Sequence, residues 1–322
     1  MDTSTPQLTL SDIRPADNGA VRPKRLKHLL PCVAVLCWAS AGPALFAQQI
    51  YAGEEILAKD RPEAWVMKLI TSELEMLTGV ARDVKPWSVE VGLESGWIPS
   101  LDDRQRLIGF NGTKEEDVNR TPAYVRPRVS FGLPASFSLS LGYIPPVRLG
   151  GIRPNHLAWS LGRPIVSRSW WRLGGRVHGQ FGNLRGDITC DKATVAVGDD
   201  PIGNPFKCEA PSNDEMRVRA AGLELGSAFA VGKRLEPYAT VGWNYFKGEF
   251  QTDAYYSGLH DISLLSSSGP TFPVSAGAGY RISERIRFDA SAFYTPLQVR
   301  RQGIRETDGI FNVRVSVSYR IR

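Results

Sequence analysis

The sequence is poor in the residues that most often carry chemistry, and its body has no long apolar run. It contains 4 Cys and 4 His among 322 residues. Cysteine this scarce excludes a disulfide-dense scaffold, and the lack of a Gly-X-Y period excludes collagen. Apart from one N-terminal segment, no run of about 18 apolar residues occurs, which excludes a membrane-spanning helix in the body. The hydrophobic share of 42% is too high for a disordered chain.

The first 47 residues have the layout of a secretory signal. Four basic side chains lie between positions 22 and 27, a mostly apolar stretch covers 29–47, and the polar pair Gln48-Gln49 follows Ala47. This order of basic, apolar and small residues is typical of a signal peptide. We therefore expect export and cleavage near Ala47, with an uncleaved anchor helix as the alternative. The remaining chain has no block of lysine and arginine, so nucleic acid is not an expected partner.

Two cysteines remain after such a cleavage, Cys190 and Cys208. In an exported protein an even pair most simply forms a disulfide. The pair brackets a stretch rich in Asp, Gly and Pro, 191–207, as the staple of a loop would. No histidine or further cysteine lies nearby, so we expect a disulfide and no metal site here.

From residue 86 onward, apolar residues alternate with polar or small ones. In 311–321 every odd position is apolar, and the even positions carry Asn, Arg or Ser. The same period of two runs through 87–94 and 288–294. This spacing predicts β-strands with one apolar and one polar face. About ten such segments are expected: 86–98, 122–133, 136–147, 155–165, 170–189, 215–231, 235–252, 272–283, 285–299 and 310–322.

The predicted connections alternate in length. Short turns follow the second, fourth, sixth and eighth segments, whereas longer loops follow most of the others. Aromatic residues lie near both ends of the segments, for example Trp87 and Trp170 at the short-turn ends and Trp97 and Trp243 at the other. Short periplasmic turns, long outer loops and two aromatic belts are typical of a transmembrane barrel. A soluble periplasmic β-protein is the fallback, but a sandwich has no reason to sort its loops by length.

In these features 86–322, together with the signal, resembles bacterial outer-membrane β-barrel proteins. The resemblance is architectural and points to no specific family. It implies an all-β, antiparallel up-and-down transmembrane β-barrel of about 10 strands, with 8 or 12 as alternatives, in the outer membrane of a Gram-negative bacterium. The lipid bilayer and the barrel-assembly machinery are then partners, and an even strand count implies that both chain ends lie in the periplasm. The chain ends in Arg322 and not in the aromatic residue that this machinery usually reads.

The segment 48–85 differs from the rest of the chain. Within it, Pro62 precedes apolar residues at helical spacing from Trp65 to Leu77, and Gly79 follows. This pattern predicts a helix over about 62–79. We expect a periplasmic segment whose helix packs beneath the barrel; the alternative is a plug that enters the lumen.

The polar face of the predicted strands gives the candidate site. By alternation, these side chains are expected to line the lumen and to be available for solute contact: Glu90, Glu94, Arg126, Arg128, Arg172, Arg176, His178, Arg217, Arg219, Glu224, Arg287, Asp289 and Arg314. Eight arginines outnumber four acids, and rings of arginine favour anions in a pore. The alternative is a filled interior in which arginines pair with carboxylates. The alternation is broken at 215–252, where a one-residue slip would reverse each side chain.

Histidine and serine give weaker candidates. If the fourth and fifth strands turn near Ser167, His156 and His178 face each other, an arrangement that could bind a metal or respond to pH. No third ligand is evident, so no metal and no cofactor is expected. Ser130 or Ser160 near either histidine would supply a nucleophile and a base, but no local motif supports this, and no catalytic residue is predicted.

The sequence therefore predicts a porin-like barrel for passive transport or binding of a small solute, through or at the mouth of an Arg-rich lumen. The first alternative is a non-transporting structural or surface-interaction barrel in which the outer loops carry the function. The second alternative is an outer-membrane lipid-modifying enzyme.

Overall fold

The computed structural model describes residues 49–76, 79–116 and 118–321. Its main feature is a closed barrel of ten antiparallel strands. They are β1 Val89–Trp97, β2 Ala123–Gly132, β3 Ser138–Ile144, β4 Arg153–Ser167, β5 Trp171–Gly186, β6 Asp214–Phe229, β7 Leu235–Gln251, β8 in the two segments Leu264–Thr271 and Val274–Arg281, β9 Ile286–Thr295 and β10 Ile310–Arg320. The predicted signal peptide and its cleavage near Ala47 lie outside the described residues.

Each barrel strand pairs with its neighbours in sequence, and β10 pairs with β1 to close the sheet. Alternation sets the register: the inward Glu94 of β1 lies opposite Ser316 of β10 and Arg126 of β2. A closed sheet leaves no unpaired edge, which a sheet in lipid requires because lipid offers no hydrogen bonds. The predicted up-and-down barrel of ten strands is thus confirmed.

The connections give the barrel a turn end and a loop end. Four short turns lie at the turn end: 133–137, which contains the 3-10 turn Pro134–Ser136, 168–170, 230–234 and 282–285. Five longer connections lie at the loop end: 98–122, 145–152, 187–213, 252–263 and 296–309. They contain the short helices Asp103–Arg106, Gly109–Gly112 and Lys192–Ala196, and the short strands Leu107–Ile108, Lys114–Glu115, Cys208–Ala210, Ala254–Tyr256, Leu259–Asp261, Gln298–Arg301 and Ile304–Thr307. Long loops of such barrels face the outside of the cell.

A disulfide joins Cys190 to Cys208 within the loop 187–213, as predicted. Both cysteines are buried and pack against Ala254 in the neighbouring loop. The bond therefore fastens the longest outer loop next to the hairpin beside it.

The outward face of the barrel is apolar. On β10, Phe311, Val313, Val315 and Val317 all point outward and are between 38% and 49% exposed. Exposed aromatic residues mark both ends: Trp87, Trp170, Phe229 and Tyr319 near the turns, and Trp97, Tyr143, Trp243 and Tyr245 near the loops. A continuous apolar band with two aromatic rims is matched to a bilayer, and the protein is a bacterial outer-membrane barrel. Tyr238 departs from the pattern, because it points inward and is 5% exposed.

The first segment of β8, Leu264–Thr271, lies where the sequence predicts a loop. Its serines and glycine hide the alternation of faces. It forms a strand because it pairs along the loop-end half of β7, from Thr271 opposite Asn244 to Leu264 opposite Gln251. Pairing with a long neighbour, and not the side-chain pattern, decides this strand.

The described N-terminal residues lie at the loop end of the barrel. Gln49–Tyr51 pairs in parallel with the outer strand Leu259–Asp261. Glu54–Ile56 then pairs in parallel with the start of β8, where Glu54 lies opposite Leu264. The chain therefore enters the barrel from the side of the long loops.

From there the chain runs down through the barrel. Helix α1, Pro62–Glu73, begins at Pro62, whose fixed φ suits a first turn, and Met67 on this helix contacts Gly248 of β7. At the other end, the amide of Trp87 donates to the carbonyl of Gly132 at 2.7 Å, beside a short turn. We call residues 62–76 and 79–88 the plug. None of the described helices is long and apolar enough to cross a membrane.

This path corrects two expectations from the sequence. Helix α1 lies inside the barrel and not beneath it in the periplasm. Gln49 lies at the loop end, so only the C-terminal end of the described chain is on the periplasmic side. The physical reason is that α1 has buried residues on every side, with Ile70 alone partly exposed. A helix of this kind requires a cavity around it, which the lumen provides.

Candidate functional site

Inward glycines make room for the plug. A side chain at Gly226 would come within 2.7 Å of Val80, and one at Gly174 within 3.0 Å of the same residue. A side chain at Gly248 would come within 3.0 Å of Met67. Any larger residue at these positions would push against the plug. Each of the strands β3 to β7 has an inward glycine that lies against the plug. Such a row of inward glycines is the feature of the sequence that could have predicted a filled lumen.

Two buried arginines hold the plug by its backbone. Arg314 on β10 is 1% exposed; its Nη2 donates to the carbonyl of Ser72 at 2.7 Å, and its Nη1 donates to the carbonyl of Glu75. Nη2 of Arg126 on β2 donates to the carbonyl of Leu74. The carbonyls at a helix C-terminus lack partners within the helix, and they carry partial negative charge. The two guanidinium groups satisfy them.

Glu75 joins the plug to β7 and lies close to β5. The amide Nδ2 of Asn244 on β7 donates to its Oε2 at 2.9 Å. Nε2 of His178 on β5 lies 3.5 Å from its Oε1. Nearby, Nε2 of Gln180 donates to the carbonyl of Thr71 at 2.6 Å. The middle of the plug is thus bonded around much of the barrel wall.

Ion pairs occupy the middle of the lumen beside the plug. Arg126 lies 3.1 Å from Glu94, and both side chains are completely buried. Arg176 lies 2.7 Å from Glu224. Buried charges of this kind require partners, and here the partners are other side chains of the wall. The interior is therefore a filled polar lattice and not an open ring of arginines.

A second group of ion pairs lies nearer the turn end. Arg172 and Arg287 share the carboxylate of Glu236, at 2.6 and 3.0 Å. Arg287 also lies 2.9 Å from Asp289. Glu236 is absent from the predicted set, because the broken alternation around it hides its inward position.

Most of the predicted lumen residues lie inside the barrel: Glu90, Glu94, Arg126, Arg128, Arg172, Arg176, His178, Glu224, Arg287, Asp289 and Arg314. Arg217 and Arg219 do not, and their predicted position is wrong. They point outward on β6, where the buried Met216 and Val218 point inward. At the loop end of β6 the inward face is apolar and the outward face is polar, because the inward residues there pack against the apolar helix α1. Contact between the inward residues and a solute stays a prediction.

The two lumen histidines do not face each other. His156 lies opposite Gly182, and His178 lies opposite Ser160. The turn between β4 and β5 covers 168–170 and not Ser167, which shifts the pairing by four residues. Within the described ranges, no group of three His, Cys, Asp or Glu side chains could hold a metal ion.

A cavity of about 420 Å³ lies at the loop end, between α1 and the wall. Val66, Met67 and Ile70 of α1 form one side, and Met216 and Phe250 of the barrel belong to the opposite side. Its size falls in the range of small-molecule sites, and such sites are mostly apolar. The cavity therefore has room for a small solute.

An unusual backbone holds an aromatic ring in this cavity. Phe110 and Asn111 have φ values of 49° and 60°, a region that residues other than glycine rarely adopt. The amide of Asn111 is held by Oε1 of Glu63 at 2.6 Å. Phe110 lines the cavity with Tyr256, and it stacks on Phe206 with centroids 5.3 Å apart. Backbone strain of this kind is concentrated at functional sites.

Two carboxyl groups deep in the cavity wall have partners within the protein. Glu63 is paired with Arg61 at 2.8 Å. Glu116 lies 2.7 Å from Nζ of Lys114, and burial raises the pKa of Glu116 to about 8. Glu54 also lines the cavity and is exposed, but most of the surface that the cavity presents is apolar.

Solved structures with similar folds include Ail, the attachment invasion locus protein of Yersinia pestis, at 12% identity and a TM-score of 0.31, with 74% of this chain and 100% of that chain covered. The outer membrane protease OmpT from Escherichia coli gives 10% identity and a TM-score of 0.42, with 77% and 99% covered. The Pseudomonas putida toluene transporter TodX gives 12% identity and a TM-score of 0.30, with 78% and 74% covered. No protein family and no curated protein matches the sequence.

Likenesses at this level of identity assign no activity to the chain. The closed sheet, the apolar outer band and the sorting of loops by length show that it has the fold of bacterial outer-membrane β-barrel proteins.

Proposed function

We propose that this barrel binds a small, uncharged and largely apolar solute in the cavity at its loop end, while the plug keeps the lumen below it closed. The observation that carries the proposal is the apolar cavity of about 420 Å³ between α1 and the wall. Insertion by the barrel-assembly machinery is part of the same proposal and rests on the architecture alone.

The lining of the cavity favours an apolar ligand. Burial of apolar surface contributes roughly 25 cal/mol per Å², and the rings of Phe110 and Tyr256 offer such surface to a planar solute. A charged ligand would lose its hydration, and the carboxyl groups of Glu63 and Glu116 already have partners in the protein. An uncharged solute is therefore the better match.

The filled lumen argues for binding at the mouth over passage through the barrel. The passive channel predicted from the sequence requires arginines that are open to a passing anion. Arg126 and Arg314 instead donate to the plug carbonyls, and Arg176 pairs with Glu224. Passage would require the plug to leave the barrel.

The test uses the protein purified from outer membranes and reconstituted in phosphatidylcholine nanodiscs. The probe is 1-N-phenylnaphthylamine, an apolar dye whose fluorescence rises when it is bound. We expect one saturable site beyond the background of empty nanodiscs. Val66→Trp should abolish this site because the indole fills the cavity, and Val197→Trp on an outer loop is the matched control. Planar bilayers should show no conductance for either variant.

Two results would overturn the proposal. The dye could partition into nanodiscs equally with and without the protein, or Val66→Trp could bind it as the wild type does. Steady anion-selective conductance in the wild type would instead support the open channel. Heat-modifiable migration of each variant in gels confirms that the barrel has folded.

A further inference from the structure

Four cationic side chains point away from the barrel near the loop ends of β5, β6 and β7. They are Arg185, Arg217, Arg219 and Lys247, and all are exposed. They are close together across the sheet: Arg219 lies opposite Lys247, and Arg217 lies opposite Glu249. Cations on the lipid side of a barrel are costly near the middle of a bilayer, and their cost falls toward the headgroups.

The pattern along β6 gives the height of these cations. Below Arg219 the outward residues are apolar or small as far as Phe229 at the turn end, and Leu223 and Leu225 are 55% and 52% exposed. Ten residues of a strand tilted by about 40° span roughly 25 Å along the membrane normal. This equals the height of the apolar band of such barrels, so Arg219 lies at the level of the headgroups.

A groove of about 450 Å³ runs along the wall beside the cations. Arg217 and Asn183 form a register pair on its loop side. Phe181 is the next outward residue toward the membrane; it lies opposite Arg219 on one side and Leu157 on the other. The groove is therefore polar and cationic above and apolar below.

The cluster has an excess of positive charge. Arg185 and Arg217 both pair with Glu215, each at 2.9 Å. Lys247 pairs with Glu249 at 2.8 Å. With Arg219 included, four cations meet two carboxylates, so two positive charges are uncompensated at the groove.

We propose that this groove binds a phosphorylated, multiply acylated glycolipid of the outer leaflet. Its phosphate lies on Arg217 and Arg219, and an acyl chain lies against Phe181 and Leu157. The planar guanidinium fork matches two phosphate oxygens. The loop end faces the outer leaflet, so the ligand is the anionic lipid of that leaflet. This binding is independent of the cavity and of the plug.

The test is native mass spectrometry of the protein purified in detergent. The probe is lipid A with two phosphates, compared with fully dephosphorylated lipid A and with phosphatidylglycerol. We expect the phosphorylated glycolipid to bind tightest. The double variant Arg217→Gln/Arg219→Gln should weaken it about tenfold or more, because charge-assisted bonds to phosphate are lost. The matched control is Arg163→Gln/Arg281→Gln, which removes two exposed arginines near the turn end and should leave binding unchanged.

Several results would overturn the proposal. If dephosphorylated lipid A binds as tightly as phosphorylated lipid A, the site does not recognise phosphate. If phosphatidylglycerol binds as tightly as phosphorylated lipid A, the site does not recognise the glycolipid. Unchanged affinity in the double variant would remove the two arginines from the site. If that variant fails to fold, the exposed single substitution Arg219→Gln should still weaken binding in the same direction, and an unchanged affinity there would also refute the site.

Discussion

Substitution of Arg314 by methionine should weaken the docking of the plug without opening the barrel sheet. Arg314 lies on β10 and donates to the carbonyls of Ser72, Glu73 and Glu75 at the C-terminal end of α1. Methionine keeps much of the volume of the side chain but donates no hydrogen bond. The variant therefore removes the bonds of Arg314 to the plug and retains most of the packing, while Arg126, Asn244 and Gln180 still bond to the plug.

The magnitude follows from the bonds. A hydrogen bond to a charged group contributes about 1.5–3 kcal/mol, and a buried carbonyl without a partner carries a further penalty. Loss of the two shorter bonds, to Ser72 and Glu75, weakens docking of the plug by about 3–6 kcal/mol. The equilibrium between docked and released plug then shifts by about 10²- to 10⁴-fold.

Hydrogen–deuterium exchange measures this shift directly. Backbone amides of α1 are protected only while the helix is docked and folded, so their exchange should accelerate by the same factor in Arg314→Met. Peptides from β5 should exchange as slowly as in the wild type, because the sheet is intact. The matched control is Arg285→Met at the turn end, where Nη1 donates to the hydroxyl of Tyr319 at a long 3.4 Å and both side chains are exposed.

Unchanged exchange of α1 in Arg314→Met would refute this reasoning. It would mean that apolar contacts, such as those of Met67 and Trp65, hold the plug without help from the guanidinium. If the methionine variant fails to assemble, Arg314→Lys keeps the charge but loses the fork, and it should accelerate exchange by a smaller factor.

Three further predictions concern the loop end. Ile56→Cys, at a site 88% exposed, should react with a membrane-impermeant maleimide on intact cells, whereas Lys233→Cys at the turn end should not; the reverse pattern would contradict the direction of the plug. The Cys190–Cys208 bond closes a loop of 18 residues, and its reduction should destabilise that loop by about 3 kcal/mol. A protease should then cleave the loop faster, while the barrel keeps its resistance to heat. Burial raises the pKa of Glu116 from 4.5 to about 8, so the folded protein favours the neutral carboxyl group. The stability that this group contributes to the packing around the cavity is therefore lost as the pH rises from 4.5 to about 8. Dye binding should fall over the same pH range, and Glu116→Gln should remove this pH dependence.

The lumen shows where prediction from the sequence fails. Arg217 and Arg219 fit an inward pattern only if the interior is polar along its whole length. The apolar helix α1 reverses that requirement at the loop end, so Met216 and Val218 point inward instead. The side that a residue faces there depends on a segment about 150 positions earlier in the chain, and no local window contains it.

The sequence by itself determined the ten strands except the first segment of β8, the sorting of loops by length, the apolar outer face and the Cys190–Cys208 bond. These follow from local rules: the two faces of a strand alternate, and the lipid outside is uniform, so the pattern needs no knowledge of distant contacts. Only the tertiary structure decided the position of α1 inside the barrel, the ion pairs that fill the lumen and the outer cavity. Each of these depends on which distant side chains meet once the sheet has closed. The same inward pattern of residues is compatible with a lumen filled by a plug, by paired charges or by water, and only those distant contacts decide between them.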